Sequence, residues 1–157
     1  MVGRDPVTLT AFLVVLVVFV AGPLTGIDVT SAGQPTVGDG DMTVDTVSVD
    51  GSALATSPGR FGADVTYLRI PTATVAVESV TGRPRVVYHV SVPGLDVDRV
   101  ATRVVTTPGT YRLTPDDYAL EPGTTAGTYE AALAVRVQSF GASRTVSHTT
   151  VTVEVAP

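Results

Sequence analysis

Four residue types are missing from this 157-residue chain: cysteine, tryptophan, lysine and asparagine. Without cysteine the chain has no disulfide framework, no thiolate metal site and no cysteine nucleophile. Without asparagine it has no acceptor for N-linked glycosylation, whereas its threonine-rich runs leave O-glycosylation open. All 10 basic residues are arginine, and 15 acidic residues bring the net charge to −5. This acidic balance, with the arginines scattered, argues against nucleic acid binding.

The acidic excess, the lack of lysine and the abundance of Val, Thr, Ala and Asp resemble the composition of proteins from extremely halophilic archaea. The physical reason is that exposed carboxylates hold hydration water and keep a surface soluble when salt screens charge over a few Å. The resemblance covers the whole chain and implies a habitat rather than a protein family.

One long hydrophobic run, Val7–Val20, lies near the N-terminus, and no charged residue falls within positions 6–27. A helix of about 20 apolar residues spans the ~30 Å hydrocarbon core of a bilayer. The run therefore predicts a hydrophobic helix over residues 1–27, either an uncleaved membrane anchor or a signal peptide removed after export. The flanks leave both open, because Arg4 is offset by Asp5. A buried helix of a soluble protein is disfavoured, since the run has no polar stripe.

Both leading interpretations place the rest of the chain outside the cytoplasm. We expect a single-pass cell-membrane protein with an extracellular C-terminal domain, or a secreted domain if the signal is cleaved, for which Ala32 ends an acceptable site. The stretch 28–41 is rich in Gly, Pro, Ser, Thr and Asp and lacks periodicity, which predicts a flexible acidic stalk. Residues 42–157 then form one domain of ordinary size.

Short β-branched runs between Pro, Gly and Asp turns fill this domain. Seven or eight such runs at roughly ten-residue spacing predict an all-β fold, an antiparallel β-sandwich. We expect Thr72–Thr106 to form a three-stranded meander and Ser52–Asp64 to form a loop. Slips in the apolar phase predict a bulge or an edge strand in Met42–Val49 and a bulge near Ser147. Alternation of apolar residues predicts these buried positions: Tyr88, Val90, Leu133, Val135 and Val153.

A short motif, Gly127-Thr128-Tyr129 followed by strict alternation, resembles the start of the penultimate strand in immunoglobulin-like domains of prokaryotic surface proteins. The resemblance covers about the last 30 residues and implies an immunoglobulin-like β-sandwich. It also implies a tyrosine corner, in which the Tyr129 hydroxyl bonds to backbone near Glu121–Thr124. The Cys–Trp–Cys core of antibody domains is absent, so the domain would be a divergent relative.

No set of residues in the chain predicts catalysis or cofactor binding. His89 and His148 are the only histidines, and zinc sites usually need three or four protein ligands. We expect both to be half-exposed strand residues, and the pair Asp116-Asp117 to be a solvated turn. A hydrolase would need a nucleophile, a base and an orienting acid in one cleft, and no motif predicts that set. We therefore expect no enzymatic activity, no metal, no cofactor and no small-molecule substrate.

Arginine clustering is the most specific binding signal in the sequence. Four arginines fall within the predicted meander: Arg83, Arg85, Arg99 and Arg103. On one strip they would dock an acidic partner, such as a surface-layer glycoprotein or an anionic polysaccharide. We favour the other interpretation, in which they form cross-strand ion pairs with Asp96, Asp98 and Glu78.

The order of helix, stalk and sandwich predicts a non-enzymatic, membrane-anchored structural or protein-interaction module of the archaeal envelope. An alternative is an accessory subunit of a surface filament or secretion apparatus. Archaellum stator proteins are similar in plan, with one N-terminal helix followed by a β-sandwich. A secreted enzyme is the third alternative, and a concave pocket that gathers a histidine with two acids would favour it.

Overall fold

The computed structural model describes residues 36–59 and 65–156, so the predicted helix over residues 1–27 lies outside the described residues. Within these ranges no helix is long and apolar enough to cross a membrane. The described residues contain ten strands: β1 Gly40–Val49, β2 Ala55–Pro58, β3 Thr66–Arg69, β4 Ala73–Gly82, β5 Arg85–Val92, β6 Val97–Val104, β7 Gly109–Leu113, β8 Tyr118–Ala119, β9 Gly127–Ser139 and β10 Ala142–Val155. Short 3₁₀ turns at Gly51–Ala53 and Pro93–Leu95 follow β1 and β5.

The strands form three antiparallel sheets. One has three strands in the order β1-β4-β7, and one has four in the order β10-β9-β5-β6. A small third sheet, β2-β3-β8, is built from a hairpin between β1 and β4 and from two residues after β7. The all-β, antiparallel prediction is therefore confirmed, although the strand count exceeds the expected seven or eight.

A single hydrophobic core joins the sheets. Its members come from one face of each large sheet, with Leu68 of β3 and the loop residues Leu54 and Leu120 closing it. All five positions predicted to be buried are at most 2% exposed, and Arg136 and Thr152 are exposed. This confirms which residues of these strands point toward the core and which point toward solvent. The physical reason is that a period of two puts every second side chain on the same face of a strand.

Both predicted irregularities are present. The pairing of β1 with β4 shifts register around Val44 and Asp45, and β1 is also an edge strand. The pairing of β10 with β9 skips Val146, which therefore forms a bulge beside Ser147. Each bulge lies where the apolar phase slips, because the extra residue lets both halves of the strand keep apolar side chains on the core.

The predicted three-stranded meander is wrong. Strand β5 pairs with β6 as expected, but β4 pairs with β1 and β7 in the other large sheet. The chain crosses between sheets at Arg83 and Pro84, where the Arg83 N–H donates to the Asp39 carbonyl. Proline has no N–H for a hairpin ladder, and both β4 and β5 need to bury one face in the same core. Periodicity does not distinguish such a crossing from a hairpin.

The predicted loop at Ser52–Asp64 is also wrong in part. Residues Ala55–Pro58 form β2, which pairs with β3 from Ala55–Arg69 to Pro58–Thr66. The run Ala-Thr-Ser-Pro carries no apolar alternation, so its sequence gives no strand signal. The strand exists because its partner β3, with the fully buried Leu68, supplies the packing.

Arginines close the open sides of the two large sheets. On the inner face of β6, the Arg99 guanidinium lies 4.5 Å from the centre of the Tyr118 ring and that of Arg103 lies 5.6 Å from the Tyr111 ring. On the opposite side, Arg144 of β10 donates to the Met42 carbonyl at 2.9 Å. Inward-pointing charges on edge strands block pairing with other chains, because a further strand would bury them.

Tyr88 has a buried hydroxyl that contributes to the pH dependence of stability. Its side chain is 0% exposed, and the hydroxyl has no hydrogen-bond partner among the described residues. Burial raises the pKa of Tyr88 to about 12 from the ordinary 10. As the pH rises, the tyrosine of the unfolded chain loses its proton before that of the folded chain does. The contribution of Tyr88 to the free energy of unfolding is therefore fully present below pH 10, and roughly 2–3 kcal/mol of it is lost as the pH rises through 12.

Replacing Tyr88 by Phe tests this assignment. We expect Tyr88→Phe to raise the free energy of unfolding by about 1 kcal/mol at pH 7, because a buried hydroxyl without a partner is removed. The variant should also lose most of the decline above pH 10, as measured by denaturant unfolding at a series of pH values. An unchanged alkaline decline would mean that another group causes it.

Tyr129, at the start of β9, forms a side-chain to backbone hydrogen bond that we call the clasp. Its hydroxyl donates to the carbonyl of Thr125 at 2.7 Å, one residue after the stretch Glu121–Thr124 expected from the resemblance. The ring packs on Gly94, where an added Cβ would lie 2.7 Å from Tyr129 Cδ1. Tyr129 therefore ties the β8–β9 loop to the β5–β6 turn.

We expect Tyr129→Phe to lower the free energy of unfolding by about 1 kcal/mol, since it removes one hydrogen bond and leaves the ring packing intact. Tyr67→Phe is the matched control, because the Tyr67 hydroxyl has no hydrogen bond to the residues that the structure describes. Equal losses in the two variants, measured by urea unfolding, would contradict a role for the clasp.

Candidate functional site

The outward side of the four-stranded sheet combines exposed apolar groups, both histidines and charges that form no ion pair with any other described residue. We call it the outer face, and it consists of the side chains of β6, β5, β9 and β10 that point away from the core. Its central row crosses the sheet through Val100, His89, Ala134 and His148, which are directly opposite one another. Val100, at the β6 end of this row, is 54% exposed.

Charge is segregated along the outer face. Arg85 and Arg136 lie at the end formed by the start of β5 and the end of β9. Three carboxylates lie at the other end: Asp98, Glu130 and Glu154. Neither arginine has an ion pair within residues 36–59 and 65–156, and the same is true of Glu130 and Glu154. Arg136 and Glu130 are six residues apart on one strand, roughly 20 Å, which is too far for them to pair with each other.

The two histidines lie on either side of Ala134, which is opposite each of them in its own strand pairing. Their strands are therefore separated by β9, so the Cα atoms are roughly 9.5 Å apart. His89 Nε2 lies 3.0 Å from both carboxylate oxygens of Asp98 on β6, pointing away from β10. As expected, His89 is partly exposed, and His148 is exposed. No group of three or more metal-ligating side chains occurs among the described residues.

Small residues line the centre of the outer face. Ala132 and Ala134 follow each other on β9, between His89 and Ser91 on one side and His148 on the other. Ala134 is only 4% exposed although it does not belong to the core cluster, because taller side chains flank it. Between positions 130 and 136, the residues of β9 that point outward are Glu130, Ala132, Ala134 and Arg136.

The four arginines proposed as a strip do not share one face. Arg85 lies on the outer face, whereas Arg99 and Arg103 lie on the inner face of β6 against tyrosine rings. Arg83 lies in the crossing between β4 and β5, where its backbone bonds to Asp39 and Gly38. The structure gives none of these four arginines an ion pair within residues 36–59 and 65–156, and Asp98 faces His89 instead.

Two side-chain arrangements in the structure are not predicted by the sequence. Arg136 belongs to the basic end of the outer face, but it lies about 50 residues along the chain from Arg85, and no local pattern couples them. Asp117 is not simply a solvated turn residue: it pairs with Arg69 and accepts the Ile70 N–H at 3.1 Å. It thereby holds β3 against the β7–β8 connection.

A polar cavity of about 380 Å³ lies between the β5–β6 turn and the β8–β9 loop. Asp96, Glu121, Tyr118 and Tyr129 contribute to its lining. Neither histidine lines it, so this cavity is not the pocket of a histidine and two acids that would favour a secreted enzyme. The Arg99 guanidinium also covers one side of the Tyr118 ring.

No protein family, curated protein or solved structure matches this chain.

Proposed function

We propose that this protein is a non-enzymatic interaction module of the cell surface, in which an immunoglobulin-like β-sandwich binds a partner through its outer face. In this proposal the hydrophobic segment over residues 1–27 anchors the chain in the cell membrane with the sandwich outside. The acidic, lysine-free composition supports an archaeal, high-salt envelope as its setting.

Strand order and the clasp at Tyr129 support the immunoglobulin-like assignment. A sheet of three strands faces one of four, the chain changes sheet between β4 and β5, and β9 lies beside β5. These relations occur in immunoglobulin-like and fibronectin-like sandwiches. The Tyr129 hydroxyl bonds to a carbonyl four residues upstream, as in a tyrosine corner. The small sheet β2-β3-β8 is an addition to that plan.

The observation that carries the binding proposal is the composition of the outer face. The solvated face of an antiparallel sheet normally carries polar residues. On this face, however, Val100 is exposed, Val87 is half-buried and two alanines lie at the centre. At both ends this centre is flanked by charges that have no ion pair with another described residue. An apolar centre with a polar, charged rim is the usual anatomy of a protein interface.

Cross-linking in the native cells tests the binding proposal. A photoreactive amino acid replaces Val100 on the outer face, and in the control it replaces Thr110, which is exposed on the three-stranded sheet. We expect adducts with a defined envelope component, or with a second copy, from position 100 and none from position 110. Equal or absent labelling at both positions would contradict a binding role for the outer face.

The membrane part of the proposal is tested separately by N-terminal sequencing and fractionation in high salt. An intact terminus at Met1 or Val2 in the membrane fraction is the expected result. A terminus near Gly33 in the medium would instead make the protein a secreted module, and the anchor would be wrong.

A further inference from the structure

The arrangement of charges on the outer face is self-complementary. Along β9 the outward residues are Glu130, Ala132, Ala134 and Arg136, so the strand carries opposite charges at equal distances from a point between the two alanines. If a second copy lies on this face with its strands running antiparallel, each Arg136 meets the other copy's Glu130. The alanines then meet at the centre and let the sheets approach closely.

We infer that the partner of the outer face is a second copy of this chain, packed face to face about a two-fold axis that crosses the strands between Ala132 and Ala134. This inference deepens the proposed function, since it names the occupant of the same surface. A two-fold axis gives an isologous interface, in which the same patch is used on both copies.

The rest of the face selects this axis over the alternative. A two-fold axis parallel to the strands would set the Arg85 and Arg136 end of one copy against the same end of the other, and like charges would repel. The axis across the strands instead sets the arginine end against the end that carries Asp98, Glu130 and Glu154. It also places His148 of one copy over Thr150 of the other, which are both exposed.

The small size of the face is typical of weak, transient complexes. Four strands about 4.8 Å apart and eight residues of about 3.3 Å each give a footprint of roughly 500 Å². Two such faces bury about 1,000 Å², the lower limit of specific interfaces. We therefore expect a weak dimer that dissociates on dilution.

Charge reversal in matched pairs is the first test, with the full chain in a mild detergent and sedimentation velocity at one salt concentration. Arg85→Glu with Arg136→Glu makes both ends acidic, and Glu130→Arg with Glu154→Arg makes both ends basic. We expect each variant alone to dimerise at least tenfold more weakly than the native chain, and an equimolar mixture of the two to recover the dimer. The control pair, Arg112→Glu and Glu78→Arg on the other large sheet, should leave the dimer unchanged.

Cysteine cross-linking is the second test, and the cysteine-free sequence makes it specific. We expect Thr150→Cys to be joined to its counterpart by a short bismaleimide, and Thr110→Cys not to be. The cross-linking test changes no charge. It therefore tests the dimer even if circular dichroism shows that a charge-reversal variant does not fold.

A native chain that remains monomeric at every accessible concentration would overturn the inference, as would a dimer that survives both reversal pairs. The binding role of the outer face and the dimer can be refuted independently of each other. Adducts from position 100 to a different protein, with a monomeric native chain, would leave the binding role intact and remove only the dimer. A monomer without any adduct from position 100 would remove both.

Discussion

Replacing Leu133 by Asp should unfold the domain at neutral pH. Leu133 is 2% exposed and lies at the centre of β9, opposite Val90 of β5 and Thr149 of β10. A carboxylate there has no buried partner, so it either stays charged at a large desolvation cost or takes up a proton. We expect a loss of at least about 4 kcal/mol, a large part of the 5–15 kcal/mol that stabilises a typical domain.

Two further variants separate the causes of this loss. Leu133→Ala removes only packing and should cost about 3 kcal/mol. Thr110→Asp places the same carboxylate on an exposed strand position and should cost less than about 1 kcal/mol. The measurement is the denaturant midpoint by circular dichroism, and a folded Leu133→Asp chain with a near-native midpoint would overturn the core assignment.

Gly40→Ala should cost at least about 3 kcal/mol, the second largest effect. Gly40 has φ of +88°, and a Cβ there would overlap the carbonyl oxygen of Thr81. Its direct partner Gly82 has φ of +70°, and a Cβ on Gly82 would lie 2.6 Å from the Asp39 carbonyl oxygen. The two strands therefore approach so closely at this end that only glycine fits on either side.

The consequences extend to the turns beside Gly40. Gly38 donates to the Arg83 carbonyl at 2.7 Å and accepts from the Phe140 N–H at 2.7 Å, which joins β1 to the crossing after β4 and to the β9–β10 turn. Displacing Gly40 should loosen these bonds, and hydrogen exchange at their two donor amides, Gly38 and Phe140, should accelerate.

Gly123→Ala is the matched control for Gly40→Ala. Gly123 has nearly the same φ, +85°, but an added Cβ would meet nothing within 4 Å in the part of the chain that the structure describes, its two chain neighbours aside. It therefore reports the cost of the backbone conformation alone, about 1 kcal/mol. Equal losses in the two variants, measured by denaturant unfolding, would mean that the close approach to Thr81 does not contribute.

Alternation was sufficient to predict the faces of the long strands. In β5 every inward residue is apolar, as is every inward residue of β9 from Tyr129 to Val137, and apart from Val87 their neighbours are polar or small, so burial follows largely from the pleat. Both bulges were predictable for the same reason, since a slip in phase forces an extra residue. The short strand β2 was not, because four residues without alternation leave no periodic signal.

The candidate site was predictable only residue by residue. The sequence marked His89 and His148 as strand residues and Arg85 as part of a basic cluster, but it grouped Arg85 with Arg99 and Arg103. The sequence alone shows which residues of one strand share a face. It does not show that β5 pairs with β9 and β6, and only that pairing puts Arg85 near Arg136.

The sequence by itself therefore determined the all-β class, the buried face of each long strand and the positions of the bulges. These properties depend on the side-chain period of two and on local breaks in it. Only the tertiary structure decided that β4 and β5 belong to different sheets, that β9 separates the two histidines and that opposite charges collect at opposite ends of one face. These properties depend on contacts between residues far apart in the chain, and the long-range packing of two sheets on one core is what selects them.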